Sequence, residues 1–83
     1  MPNNISTGTL LQTILTIIAR VDSKKIVYIQ ARTLVLVVSE IVKPYPDSLH
    51  FHYRQCLTPG NLVHIEEATL RDTYLFAVVE KLK

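Results

Sequence analysis

Leu49-His50-Phe51-His52-Tyr53-Arg54-Gln55-Cys56-Leu57, followed by Thr58-Pro59-Gly60-Asn61, Leu62 to Leu70, Arg71-Asp72-Thr73 and Tyr74 to Val79, is the stretch whose reading decides the fold. Its first nine residues alternate, with Leu49, Phe51, Tyr53 and Leu57 on one face. A two-residue period marks a strand with one face covered. Pro59-Gly60 suits a turn, because proline presets φ and glycine accepts a positive one. The segment predicts three strands over about 49–57, 62–70 and 74–80. The last is nearly all apolar, so both its faces need cover, from this chain or from another.

Upstream, Lys43-Pro44-Tyr45-Pro46-Asp47 reads as a loop, since two prolines remove two donors and restrict their neighbours. Leu34 to Val42 fits a strand by its five β-branched residues, although residues 31–42 also fit a helical period. Ile26 to Ala31 reads as a strand, with Ile26, Tyr28 and Gln30 on one side and Val27, Ile29 and Ala31 on the other. Arg32-Thr33 makes a tight turn before residue 34. Further back, Leu10, Leu11, Ile14, Leu15, Ile17, Ile18 and Val21 recur with a 3.6-residue period. That predicts a helix over about 8–20, capped by Ser6 or Thr7. The expected fold is mainly β, with one N-terminal helix and five strongly bent antiparallel strands over about 26–31, 34–42, 49–57, 62–70 and 74–80.

Eighty-three residues make a single domain, 1–83, with a polar and flexible start over 1–6. A chain this short buries only about 60% of its unfolded surface. Its composition is 48% hydrophobic, which leaves apolar surface for a partner to cover. The net charge of +2 is weak, and only Arg20, Lys24 and Lys25 gather around one turn. Non-specific nucleic-acid binding usually needs a basic stripe. A lone cysteine, Cys56, fits a reducing compartment. The longest apolar run is five residues, Leu34 to Val38, against roughly 20 for a membrane helix. With no basic region or small-residue cleavage site at the start, a soluble intracellular chain without membrane partners is expected.

Candidate chemistry is sparse. His50, His52 and Cys56 share one face of their strand and His64 lies on the next, yet the spacing matches no common zinc motif. Cys56 sits inside a strand, with nothing to position an oxyanion hole, so a structural thiol is expected rather than a nucleophile. Glu66 and Glu67 are adjacent and would point to opposite faces of a strand, as solvated or rim charges. Phe51, Tyr53, Tyr74 and Phe76 could stack bases, but their period places them with core aliphatics. No cofactor or metal site and no catalytic group is expected.

A helix followed by five bent strands resembles the Sm-like family, whose second motif reads apolar-Arg-Gly where this chain has Leu70-Arg71-Asp72. Gln55-Cys56-Leu57-Thr58-Pro59-Gly60 and Glu67-Ala68-Thr69-Leu70-Arg71 are most similar to the Gemin-type Sm-like members of the survival-motor-neuron (SMN) complex, over about Leu10 to Val79. Departures from the Sm pattern are the missing glycine in strand two, His50 in place of an asparagine, and Asp72 in place of a glycine; Asp47 is retained. An acid at the RNA-facing rim repels phosphate, so Asp47, His50, Arg71 and Asp72 are expected to be a degenerate RNA site.

The resemblance implies a non-catalytic scaffold subunit in the cytoplasm and nucleus, serving the assembly of spliceosomal small nuclear ribonucleoproteins. It would pair strand four of one subunit with strand five of the next. Leu62, Val63 and Ile65 and then Tyr74, Phe76 and Val78 would form those edges, with another Sm-like chain (the sixth Gemin) as partner. The helix face Leu11, Ile14, Leu15 and Ile18 would dock the eighth Gemin. The competing expectation is a small oligonucleotide-binding barrel holding single strands, but that fold normally carries its helix between strands three and four, where Pro44-Tyr45-Pro46 stands.

Overall fold

The computed structural model describes residues 5–21, 24–44 and 52–80. Its elements are β1 (Leu10–Thr13), β2 (Ile17–Arg20), β3 (Ile26–Ile29), β4 (Leu34–Val37), β5 (Tyr53–Thr58), β6 (Asn61–Glu66), a four-residue helix α1 (Glu67–Leu70) and β7 (Phe76–Glu80). All seven strands belong to one antiparallel sheet in the order β3-β2-β6-β5-β4-β1-β7.

That order forces the sheet to curl. β1 and β2 are the two halves of one segment, joined only by Ile14, Leu15 and Thr16. Four Cα steps reach at most about 14 Å. In the sheet, however, β1 and β2 lie four positions apart, which is about 19 Å on a flat sheet. β3 and β4 are likewise four positions apart and are joined by residues 30–33. The two long bent segments therefore wrap the sheet into a half-barrel around one core.

The expectation of a helix over 8–20 is corrected: the segment forms β1 and β2, and the helix among the described residues is α1, late in the chain. The reason lies in Thr13. Leu11, Thr13, Ile17 and Ala19 all face inward and are buried, so a two-residue period is present, but one of its inward positions is a threonine. Thr13 can be buried because its hydroxyl donates to the Gln30 carbonyl at 2.7 Å and accepts the Thr33 N–H at 2.9 Å. Leu10, Ile14 and Ile18 are apolar on the opposite face, which manufactures the helical period. Seven β-branched residues among positions 9–21 favour the strand. Ser6 and Thr7 cap no helix; the Ser6 N–H donates to the Thr9 hydroxyl at 3.2 Å, and the Thr7 hydroxyl donates to the Glu40 carboxylate.

The strand expected over 34–42 ends at Val37, with an isolated bridge from Val42 to Tyr53. The strand expected over 62–70 stops at Glu66, where Glu67 begins α1. β5 is turned over relative to the reading of its alternation. Arg54, Cys56 and Thr58 face the core, and Tyr53 and Leu57 face out. The part of that strand expected before residue 52, including Phe51, lies outside the described residues.

Leu11, Val35, Val37, Cys56, Val63 and Leu70 are fully buried, and Phe76 is 1% exposed. Each such side chain contributes about 1.5–3 kcal/mol relative to exposure. The Ala31-Arg32 turn places Arg32 at φ 68°, and its N–H donates to the Thr13 carbonyl at 2.7 Å.

Candidate partner-binding surfaces

The curled sheet has two ends, β3 and β7, and among the described residues each is paired on one side only. Edge strands offer a row of backbone donors and acceptors to other chains, and natural proteins usually blunt them with lysine, proline, a β-bulge or a covering loop. β7 has a register shift between its Leu11–Val78 and Leu10–Glu80 pairs. Between Phe76 and Val79 the β7 edge carries no charge and no proline. Ala77, Val78 and Val79 are exposed, Val79 to 51%.

The direction of the β7 backbone follows from its neighbours. Ile14 N–H donates to the Leu75 carbonyl at 2.7 Å, and the register then pairs Gln12 with Ala77 and Leu11 with Val78. In an antiparallel ladder hydrogen-bonded pairs alternate with non-bonded ones. Ala77 therefore bonds back to Gln12, whereas Val78 presents its N–H and C=O to the open side. Phe76 is the anchor of the strand, since its side chain fills the core and its N–H donates to the Asp72 carbonyl at 3.0 Å.

The connection into β7 is set by α1 and Asp72. Arg71 caps α1, with its N–H on the Glu67 carbonyl at 3.1 Å. The Asp72 carboxylate accepts the Tyr74 N–H at 2.8 Å, which closes a local turn. Arg71 and Asp72, expected as remnants of an RNA rim, are thus the cap and the turn that aim β7. Tyr74 beside them is 82% exposed.

A buried ion pair locks this corner to the rest of the molecule. Arg54 Nε donates to the Glu67 carboxylate at 2.9 Å, and the two side chains are 6% and 14% exposed. The same guanidinium donates to the Ser39 carbonyl at 3.1 Å and the Ile5 carbonyl at 3.2 Å. Glu67 is therefore corrected from a rim charge to a core partner, whereas Glu66 is exposed. Sequence reasoning missed Arg54 because arginine at an alternating position reads as outward. The one available signal was that its face also carries Cys56 and Thr58.

The remaining expected sites divide by burial. The side chains of Val63, Ile65, Phe76 and Leu11 are in the core, while Leu62, Val78, Ile14, Leu15 and Ile18 are exposed. β6, expected as a docking edge, is an interior strand between β5 and β2. Asp47 and His50 lie outside the described residues. His64 stacks on Tyr53 with ring centroids 4.6 Å apart, on the face opposite Cys56. Among the described residues no group of three His, Cys, Asp or Glu could hold a metal ion. Burial pushes the Cys56 thiol up to about 12, with Arg54 pulling the other way and Glu67 adding to the rise, so it is held protonated.

Two further features lie on the outer face. Leu10, Leu36, Leu57 and Leu62 stand opposite one another in register across β1, β4, β5 and β6, a continuous apolar row. Where β2 and β6 part, paired only at Arg20 and His64 among the described residues, a cleft of about 360 Å³ opens beside Ile18, Arg20, His64 and Glu66.

No family model matches this chain, and searches of curated proteins and of solved structures likewise yield no match.

Proposed function

We propose that this chain is a non-catalytic interaction subunit that binds a partner by adding the partner's strand to the open edge of β7. The observation that supports the reading is that edge itself: an apolar, uncharged strand at the end of the sheet, with the Val78 backbone turned outward. Main-chain bonds would supply affinity, and the exposed Tyr74, Ala77, Val78 and Val79 would supply selectivity. The protonated, buried Cys56 fits a structural role better than a nucleophilic one.

The Sm-like resemblance, drawn on the seventh Gemin subunit, supplies the class of partner in this proposal: another small sheet protein with an edge to offer, the sixth Gemin by that likeness. It expected docking edges on two neighbouring strands and a helix for the eighth Gemin. The interior position of β6 and the strand form of residues 10–20 leave β7 as the edge carried forward. Ile14 and Leu15 at the bend between β1 and β2, and Ile18 within β2, remain as exposed apolar residues. The likeness of Gln55 to Gly60 and Glu67 to Arg71 is the support that remains for an SMN-type setting.

Co-expression with candidate small β partners, followed by native mass measurement, tests the proposal. A stable complex should form and be lost on Val78→Asp and on Val79→Lys, while both variants keep the strand signature in circular dichroism. Folded variants that retain the partner would remove β7 as the docking edge.

A further inference from the structure

We propose that the other edge, β3, is a second binding site, which takes an extended peptide segment carrying aspartate or glutamate with apolar residues at alternate positions. This stands independently of the β7 reading. The β2–β3 hairpin is closed by the Val21 N–H donating to the Lys25 carbonyl at 2.9 Å. Alternation from that bond makes Ala19–Val27 and Ile17–Ile29 the bonded pairs. Ile26 and Tyr28 then present their backbone N–H and C=O groups to the open side, which is the pattern an added strand requires.

The side chains above that edge form an apolar ridge. Ile26 is 53% exposed and Tyr28 68%, and Ile18, directly opposite Tyr28, is 56% exposed. Alternate apolar residues of an added strand would lie beside this ridge, on the outer face of the sheet.

Charge selects the acidic class. Residues 17–34 contain Arg20, Lys24, Lys25 and Arg32 against Asp22, a net of +3, whereas the whole chain carries +2, so everything else sums to −1. The cations bracket the edge, with Lys24 and Lys25 before Ile26 and Arg32 after Ile29. Arg32 occupies a left-handed backbone position at φ 68°, where glycine would sit without strain and an L side chain costs about 1–2 kcal/mol. A strained residue held at such a place points to a use for its side chain. A nucleic acid lying across the sheet face would instead meet Glu66 in the cleft beside Arg20 and His64.

Fluorescence anisotropy with a labelled peptide of about nine residues, alternating valine and glutamate, tests the proposal. The controls are the same peptide with lysine for glutamate and a labelled oligouridine. The acidic peptide should bind, and weaken as salt rises from about 0.05 to 0.3 M. Tyr28→Pro removes an outward N–H that the sheet does not use, a position where proline is tolerated, and should weaken binding at least about tenfold. Arg32→Gly relieves the backbone strain and keeps the fold, and should weaken binding about threefold and flatten the salt dependence. Val78→Asp should leave peptide binding unchanged, which separates this site from β7. Equal binding of acidic and basic peptides, full binding by the two β3 variants, or binding of oligouridine alone would each overturn the assignment. So would a self-associated chain that Tyr28→Pro converts to monomer, because a second copy would then own the edge.

Discussion

Cys56 shows how one residue's position limits its chemistry. It lies on the inward face of β5 at 0% exposure, and burial raises its thiol from 9.0 to about 12. A raised acid has a definite sign in stability. Below pH 9.0 the thiol is neutral in both folded and unfolded chains, so its contribution to stability is fully present. Above 9.0 the unfolded chain releases the proton and the folded chain keeps it, so stability falls until the folded thiol ionises near 12. Urea unfolding of the wild type should lose up to about 1.4 kcal/mol more per pH unit above 9 than Cys56→Val loses over the same range. Parallel pH profiles for the two proteins would show that the thiol is not desolvated. The sequence put this thiol on one face with His50 and His52, and its full burial was not legible. The larger apolar residues Tyr53 and Leu57 occupy the outer face of β5, which inverted the assignment.

At the scale of elements, Arg54 and Glu67 join four segments: the N-terminal residues at Ile5, the connection after β4 at Ser39, β5 itself and α1. Removing one member of a buried pair leaves the other uncompensated and costs about 3–5 kcal/mol, whereas replacing both by apolar residues of similar size is far milder. Arg54→Met and Glu67→Leu should therefore each lower stability by about that amount, with the double variant closer to wild type than either single one. Additive losses across the cycle would indicate that the two side chains act independently. This pair was not legible, because it depends on the chain turning into α1 at Glu67. The Pro59-Gly60 turn, the first part of the strand expected over 62–70 and the shared face of Ile26 and Tyr28 were legible from alternation and turn chemistry. The segment Leu10 to Arg20 was not. Apolar residues on both faces and an inward Thr13 imitate a helical stripe, and only the density of β-branched residues spoke for strands. What settles it is tertiary: the hydroxyl of Thr13 finds partners on the β3–β4 turn that the local sequence does not announce.

On the scale of the whole molecule, the radius of gyration of 11.8 Å matches that of a compact domain of this length, about 12 Å. The exposed apolar side chains therefore belong to a closed fold and not to a loosened one. They include Ile26 and Tyr28 on β3, Val78 and Val79 on β7, and Leu57 and Leu62 of the outer leucine row. The likeness to Sm-like proteins implied an N-terminal helix, which these residues do not form; the apolar surplus was legible from composition alone. The central claim is that β7 is an open edge with its Val78 backbone turned outward, ready for a partner strand. Residue-resolved amide exchange on the free chain and on a co-expressed complex tests it most directly. The account predicts slow exchange at Ala77 in both samples, with Val78 fast in the free chain and strongly protected in the complex. A Val78 amide that is already protected in the free monomer, or that stays fast in the complex, would contradict it.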